Sequence, residues 1–315
     1  MNWRLKSTVQ NVVARLPFSD AIYYALQRTA GDLRPGREDP REWLEAAAQM
    51  VGWLRTSGAD VVGKDVVEIG TGRRLHIPVA LWLLGARRVL TVDLHRYLSG
   101  PLVEEGIRSL RERPDALRPL LGVAASADDF DARLAQLLRC TSLAAVLETT
   151  GIEYHAPADA RRLPVPDASF DLHVSHVVLQ HVPPAVLVEM LAEARRVLRP
   201  SGCLVHFIDL SDMFSHDDPT IPAVHFLRFS DAEWQRLAGN RFMYTSRLRP
   251  SGYHQVFAEA GLRVLDEKRI VDEPSLALLK SGALPVDRKF AHLPPEELAA
   301  RHLRVLALPS PAPAG

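Results

Sequence analysis

The chain has 315 residues, and its 38 Lys plus Arg are matched by 38 Asp plus Glu, so the formal net charge is zero. That balance supplies no overall field to draw nucleic acid or an acidic membrane, which argues against a nucleic-acid substrate. A composition that is 47% apolar and 24% charged is that of a globular protein able to bury one large core. Only two cysteines occur, Cys140 and Cys203; they fall short of a secreted disulfide framework, and a reducing cytoplasm is the expectation. The longest apolar run, residues 77–86, is broken by a glycine and is too short to span a bilayer. The N-terminus shows no signal-peptide cleavage pattern.

In chain order, residues 21–29 and 41–54 show helical periodicity and carry Tyr23, Tyr24, Trp43 and Trp53. They predict a helical extension or lid over residues 1–58. From 61 to 208 strand and helix patterns alternate, which predicts an α/β fold with a doubly wound, mostly parallel sheet. Strands are expected at 66–69, 89–92, 151–154, 170–175, 203–208, 263–271 and 303–308, within a domain covering 59–308. Between the second and third strands, residues 95–145 exceed the one helix a crossover needs, with helical stretches at 102–110 and 129–138. A second excess region, 209–261, is dense in Asp, His, Phe and Arg. Both are expected on the substrate side, because specificity is carried by what is added to a generic scaffold. The Pro- and Ala-rich tail at 309–315 is expected to be disordered.

Chemistry concentrates where strands end. Val66-Val67-Glu68-Ile69-Gly70-Thr71-Gly72 is an apolar strand running into a glycine turn, and a helix with Pro78 near its start follows. Gly70 and Gly72 lack a Cβ, so the backbone can turn tightly and approach a ligand. The following helix presents its free N–H groups to an anion. Val89-Leu90-Thr91-Val92 ends on Asp93, roughly 20 positions after the first glycine, the spacing at which a carboxylate accepts from ribose hydroxyls. A dinucleotide turn would place a third glycine at position 75, where this chain has Leu75.

The pattern Glu68-Ile69-Gly70-Thr71-Gly72 resembles the first motif of class I S-adenosylmethionine-dependent methyltransferases. Asp159-Ala160, the strand opening on Phe170-Asp171, the segment Leu179-Gln180-His181-Val182 and the turn Arg199-Pro200-Ser201-Gly202 resemble the family's later motifs, in order. The resemblance implies a seven-stranded Rossmann-like sheet whose last two strands pair at one edge, and S-adenosylmethionine as cofactor. It implies that Glu68, Gly70 and Gly72 line the methionine end, that Asp93 takes the ribose and that Leu94 packs on the adenine. Asp159, with the Ala160 backbone beside it, would accept from the adenine amino group. The 209–251 region, together with Leu16-Pro17-Phe18 and residues 23–28, resembles a bacterial methyltransferase subgroup that accompanies polysaccharide assembly. A small-molecule or glycan-type acceptor methylated on oxygen is therefore expected.

A hydroxyl acceptor calls for a general base, and histidine titrates near neutrality. His176 and His181 past the fourth strand, and Asp209 and His216 past the fifth, are the candidates, because ligands sit at the carboxyl ends of parallel strands. His206 lies inside a strand and reads as core. Asp209, Asp212, His216, Asp217 and Asp218 fit no defined metal spacing, and no metal is expected. Arg228, Arg241, Arg247 and Arg249 form either an anion clamp or a charged face. Two rivals stand beside this reading: an NAD(P)-dependent oxidoreductase on a similar sheet, and a non-catalytic cofactor-binding or scaffold subunit.

Overall fold

The computed structural model describes residues 1–31, 33–36, 39–122 and 128–310, so the tail expected at 309–315 lies outside the described residues from 311 onward. Two compact units are present: a first unit of residues 35–176, 190–205 and 308–315, and a second of 1–34, 177–189 and 206–307.

Helices α1 (Trp3–Val13) and α2 (Ser19–Thr29) belong to the second unit, whereas α3 (Pro40–Thr56) belongs to the first. Asp39 caps α3 by accepting from the Arg41 N–H, and Pro40 occupies the first turn, where no N–H is missed. Strand β1 (Asp65–Ile69) is buried throughout, and α4 (His76–Leu83) is buried from Ile77 to its end, as an all-apolar helix between two layers must be. Strand β2 (Arg88–Val92) follows. The long excess region folds as α5 (Gly100–Glu112), α6 (Leu117–Leu120), α7 (Asp128–Leu137) and α8 (Leu143–Thr150). Beyond it come β3 (Glu153–His155), β4 (Phe170–His176), α9 (Pro184–Val197) and β5 (Leu198–Asp209). The remainder is α10 (Asp231–Ala238), α11 (Pro250–Glu259), β6 (Leu262–Val271), α12 (Glu273–Lys280), α13 (Pro295–Leu298) and β7 (Ala300–Pro309).

All seven expected strands are present, in the sheet order β3-β2-β1-β4-β5-β7-β6, with the last two together at one edge. β1 runs parallel to both β2 and β4, and β2 runs parallel to β3. The order therefore reverses beside β1, and in such sheets the crevice for a ligand opens at the carboxyl ends next to the reversal. Glu68 pairs with Thr91 on one side and Val174 on the other, and Val92 pairs with His155, so the ends of β1 to β4 are level.

One expectation needs correction. Residues 199–202 do not form a turn before the fifth strand; they are its first part. Arg199 bonds Asp65 at 2.8 Å and Asp171 at 2.7 Å. Gly202 lies so close to the sheet that an added Cβ would stand 2.9 Å from the Asp171 carbonyl. In the second unit the core gathers Trp3, Phe214, Phe226, Trp234, Met243 and Phe290. Among the described residues no helix is long and apolar enough to cross a membrane.

Candidate functional site

In the first unit the glycine turn leaves β1 with Gly70 at φ 87° and Gly72 at φ 66°, conformations that disfavour any side chain. The Gly70 N–H donates to the Val92 carbonyl at 2.8 Å, and the Gly72 N–H donates to the Asp93 carboxylate at 2.8 Å. A Cβ built on Gly72 would meet no atom within 4 Å. Space therefore stands in front of the turn. Beneath it, Glu68 is only 2% exposed and accepts from the Thr91 hydroxyl, which in turn contacts the Thr71 hydroxyl. Burial pushes the Glu68 carboxyl up to about 7; the Thr91 hydrogen bond opposes this and the nearby Asp93 charge adds to it.

Asp93 is the knot of the site. Besides Gly72, its carboxylate accepts from the His95 N–H at 3.2 Å. Its own N–H donates to the His155 carbonyl at 3.1 Å, and its carbonyl accepts from Ala158 at 2.8 Å. Backbone bonds thus tie the loops after β1, β2 and β3 to one residue. Burial holds the Asp93 carboxyl above the ordinary carboxylate range, against the bonds from Gly72 and His95. Leu94 beside it is 60% exposed, an apolar side chain without cover. Asp159 follows Ala158 and is exposed, and its carboxylate is engaged by Arg161 at 2.7 Å, which lowers its pKa. Ala160 is half-buried beside it. His176 ends β4 and stands edge-on to Trp43 of α3, with ring centres 5.0 Å apart. The Asp159–Arg161 pair was invisible in the sequence pattern, although the i, i+2 spacing of opposite charges carried a hint of it.

The second unit brings His181, Asp209 and His216 into one electrostatic neighbourhood. Asp209 is 5% exposed and accepts from both the Ser211 N–H, at 2.8 Å, and the Ser211 hydroxyl, at 2.6 Å. His216 Nε2 stands 2.8 Å from the same hydroxyl and 3.3 Å from Asp209. Burial works to raise the Asp209 pKa, yet the bonds from His216 and Ser211 hold the carboxyl at about 2. Ser211 has one proton and gives it to Asp209, so toward His216 it accepts. Nε2 therefore carries the hydrogen and Nδ1 bears the lone pair. His181 adopts the opposite tautomer: its Nδ1 lies 2.9 Å from the Tyr244 carbonyl, which can only accept, leaving Nε2 as the acceptor. Ser211 and His302, the latter 3.9 Å from Asp209, were missed by the sequence reading. Nothing in local patterning marks them.

The other acidic residues of this loop hold structure. Asp218 accepts from the Trp3 N–H at 2.9 Å, Asp217 pairs with Lys6, and Asp212 accepts from the Phe214 N–H at 2.9 Å. Among the described residues no group of three or more His, Cys, Asp or Glu is arranged for a metal ion. An arginine clamp is not assembled either. Arg247 donates to the carbonyls of Phe226 and Phe229 and to Asp231, Arg249 to those of Leu210, Glu297 and Ala300, and Arg241 to Asp20. Burying a guanidinium among carbonyls satisfies its fork of donors and removes it from any ligand.

The family model described as a methyltransferase domain matches residues 124–206. It covers β3, β4, α9 and most of β5, and the glycine turn lies outside it. No curated protein matches the chain in sequence. Among solved structures the chain is similar to an S-adenosylmethionine-dependent methyltransferase from Mesorhizobium loti, at 16% identity, over 84% of this chain and 99% of that one, with a TM-score of 0.45. A protein from Pyrococcus horikoshii aligns at 14% identity over 92% of this chain and 99% of its own, with a TM-score of 0.48. A 1,6-didemethyltoxoflavin N1-methyltransferase from Burkholderia thailandensis, solved with its substrate and S-adenosylhomocysteine, aligns at 14% identity over 96% and 89%, with a TM-score of 0.45.

Proposed function

We propose that the protein is an enzyme that uses S-adenosylmethionine to methylate an oxygen of a small-molecule or glycan-type acceptor, in the reducing setting suggested by its two buried, free cysteines. The methyltransferase-domain match supports the chemistry. The single observation that carries the reading is the Asp93 carboxylate. It has about four acceptor positions; the Gly72, His95 and Leu94 N–H groups bond to it, and the capacity that remains suits a ribose hydroxyl. The open space at Gly72 fits the aminoacyl end of the same cofactor, and exposed Leu94 fits the adenine face. Asp159, with the Ala160 backbone, would receive the adenine edge once Arg161 shares or yields the carboxylate.

When bound, the cofactor supplies a methyl group already activated as a sulfonium. The residues of this chain then have to orient the nucleoside and move a proton. Positioning of this kind is worth up to roughly 7–11 kcal/mol. For the proton, His216 is the favoured base. Its Nδ1 lone pair takes the hydrogen of the acceptor hydroxyl, and the ionised Asp209 beside Nε2 stabilises the imidazolium that results. His181 also offers a lone pair, at Nε2, but lies against a neutral carbonyl and lacks a carboxylate in direct contact. His176, against Trp43, is the third candidate. The glycan-type acceptor rests only on the sequence resemblance of the 209–251 region, with residues 16–18 and 23–28.

Calorimetry with S-adenosylhomocysteine tests the cofactor assignment, and label transfer from S-adenosylmethionine into fractionated extract tests the acceptor class. A folded protein that binds no S-adenosylhomocysteine would end this reading.

A further inference from the structure

Helix α1 is inside out. Its buried residues are Trp3, Ser7, Gln10 and Val13. The Ser7 hydroxyl donates to the Leu237 carbonyl at 2.6 Å and the Gln10 amide donates to the Tyr23 hydroxyl at 3.0 Å, so two polar side chains are spent on the inward face. The outward face carries Leu5, Val9 and Val12 at helical spacing, with Leu5 57% and Val12 54% exposed, and exposed Leu16 follows in the turn beyond the helix. The chain then presents Phe18, 85% exposed and at φ 58°, a left-handed conformation that bulky residues avoid. Soluble helices put their apolar stripe toward the core. This one turns it outward.

The charges around the stripe select what covers it. Residues 3–19 contain Arg4, Lys6 and Arg15 and no carboxylate. Arg4 and Arg15 are exposed beside the stripe, while Lys6 is paired with Asp217. The next acidic residue, Asp20, is taken up by Arg241 at 2.7 Å. An apolar stripe flanked by uncompensated cations complements an anionic lipid interface. It does not complement itself, because two copies packed face to face would bring like charges together with no carboxylate between them.

We propose that α1 and the turn at Phe18 form a docking face for an anionic phospholipid surface, with α1 lying in the plane of the interface and Leu5, Val9, Val12, Leu16 and Phe18 entering it. This proposal is independent of the methyl-transfer reading. The test is flotation of the full chain with vesicles of equal parts phosphatidylcholine and phosphatidylglycerol, against vesicles of phosphatidylcholine alone. The wild type floats with the anionic vesicles, and high salt reduces the bound fraction. Val12→Asp with Phe18→Ser lowers partitioning about tenfold or more, and Arg4→Gln with Arg15→Gln lowers it about fivefold per charge. All four positions are exposed, so an unchanged thermal melt and far-ultraviolet circular dichroism spectrum report intact folding. Absence of flotation, or flotation equal in wild type and both variants, overturns the proposal. A concentration-dependent dimer in sedimentation, lost in Val12→Asp/Phe18→Ser without any vesicle binding, assigns the face to a second copy and overturns it equally.

Discussion

Replacing Glu68 by glutamine should stabilise the protein at alkaline pH and leave it nearly unchanged in acid. Glu68 sits under the glycine turn, 2% exposed, with the Thr91 hydroxyl donating to it. Burial raises its pKa from 4.5 to about 7, so the fold favours the protonated form. For a raised acid, the associated stability is fully present below the unfolded value and is lost as pH rises through the folded one. The gap corresponds to about 3 kcal/mol at about 1.4 kcal/mol per pH unit, all of it lost by about pH 8. Glutamine has nearly the same volume and still accepts from Thr91 through Oε1, yet it never ionises. Urea unfolding followed by tryptophan fluorescence should show Glu68→Gln close to wild type near pH 5 and up to about 3 kcal/mol more stable near pH 8. Parallel pH dependences for the two proteins would refute the argument, because they would mean that the buried carboxyl ionises without cost.

Three further expectations concern function and the arginines. Asp93→Ala removes the proposed ribose acceptor, each charge-assisted bond being worth about 1.5–3 kcal/mol, and should weaken S-adenosylhomocysteine binding at least about tenfold by calorimetry; an unchanged affinity would remove the cofactor assignment. Asp209→Asn takes away the charge beside the proposed base His216, so labelled methyl transfer should fall by about 10²–10⁴-fold per folded molecule. A fall fully accounted for by loss of folded protein would count against the His216 base. Arg249→Met should lower unfolding free energy by about 3 kcal/mol or more, since buried carbonyls of Leu210, Glu297 and Ala300 lose their donor; an acceptor-clamping role predicts instead an unchanged melt and a raised KM.

The strands β1 and β2 were legible because they are buried on both faces and therefore read as mostly apolar runs leading to Gly or Asp. The proximity of the Glu68 and Asp93 loops followed from the same pattern, because two adjacent parallel strands end level. What stayed hidden involves partners far apart in sequence. Helix α1 lies within the helical extension expected over 1–58, but its exposed apolar residues were not anticipated, because such residues usually face a core. The arginines at 241, 247 and 249 looked like ligands for an anion, yet their partners are carbonyls and carboxylates at positions such as 20, 226 and 300. Ser211 was passed over because only the fold reveals that its hydroxyl lies between a carboxylate and an imidazole. The stretch expected as a turn at 199–202 was absorbed into a strand that starts at Leu198, earlier than its proline and glycine suggest.

Neither compact unit is made from one uninterrupted stretch of chain. Residues 177–189 and 206–307 join 1–34, and 190–205 joins 35–176. During synthesis the opening helices must therefore wait for partners about two hundred positions later, and β1 to β4 must wait for the strand that begins at Leu198. Long-range closure of this kind slows acquisition of structure. A ribosome-bound or truncated product ending before that strand would expose much of its apolar interior, which makes it a natural client for chaperones. Cutting the protein at a single bond to obtain either unit alone should yield aggregate rather than a smaller working enzyme.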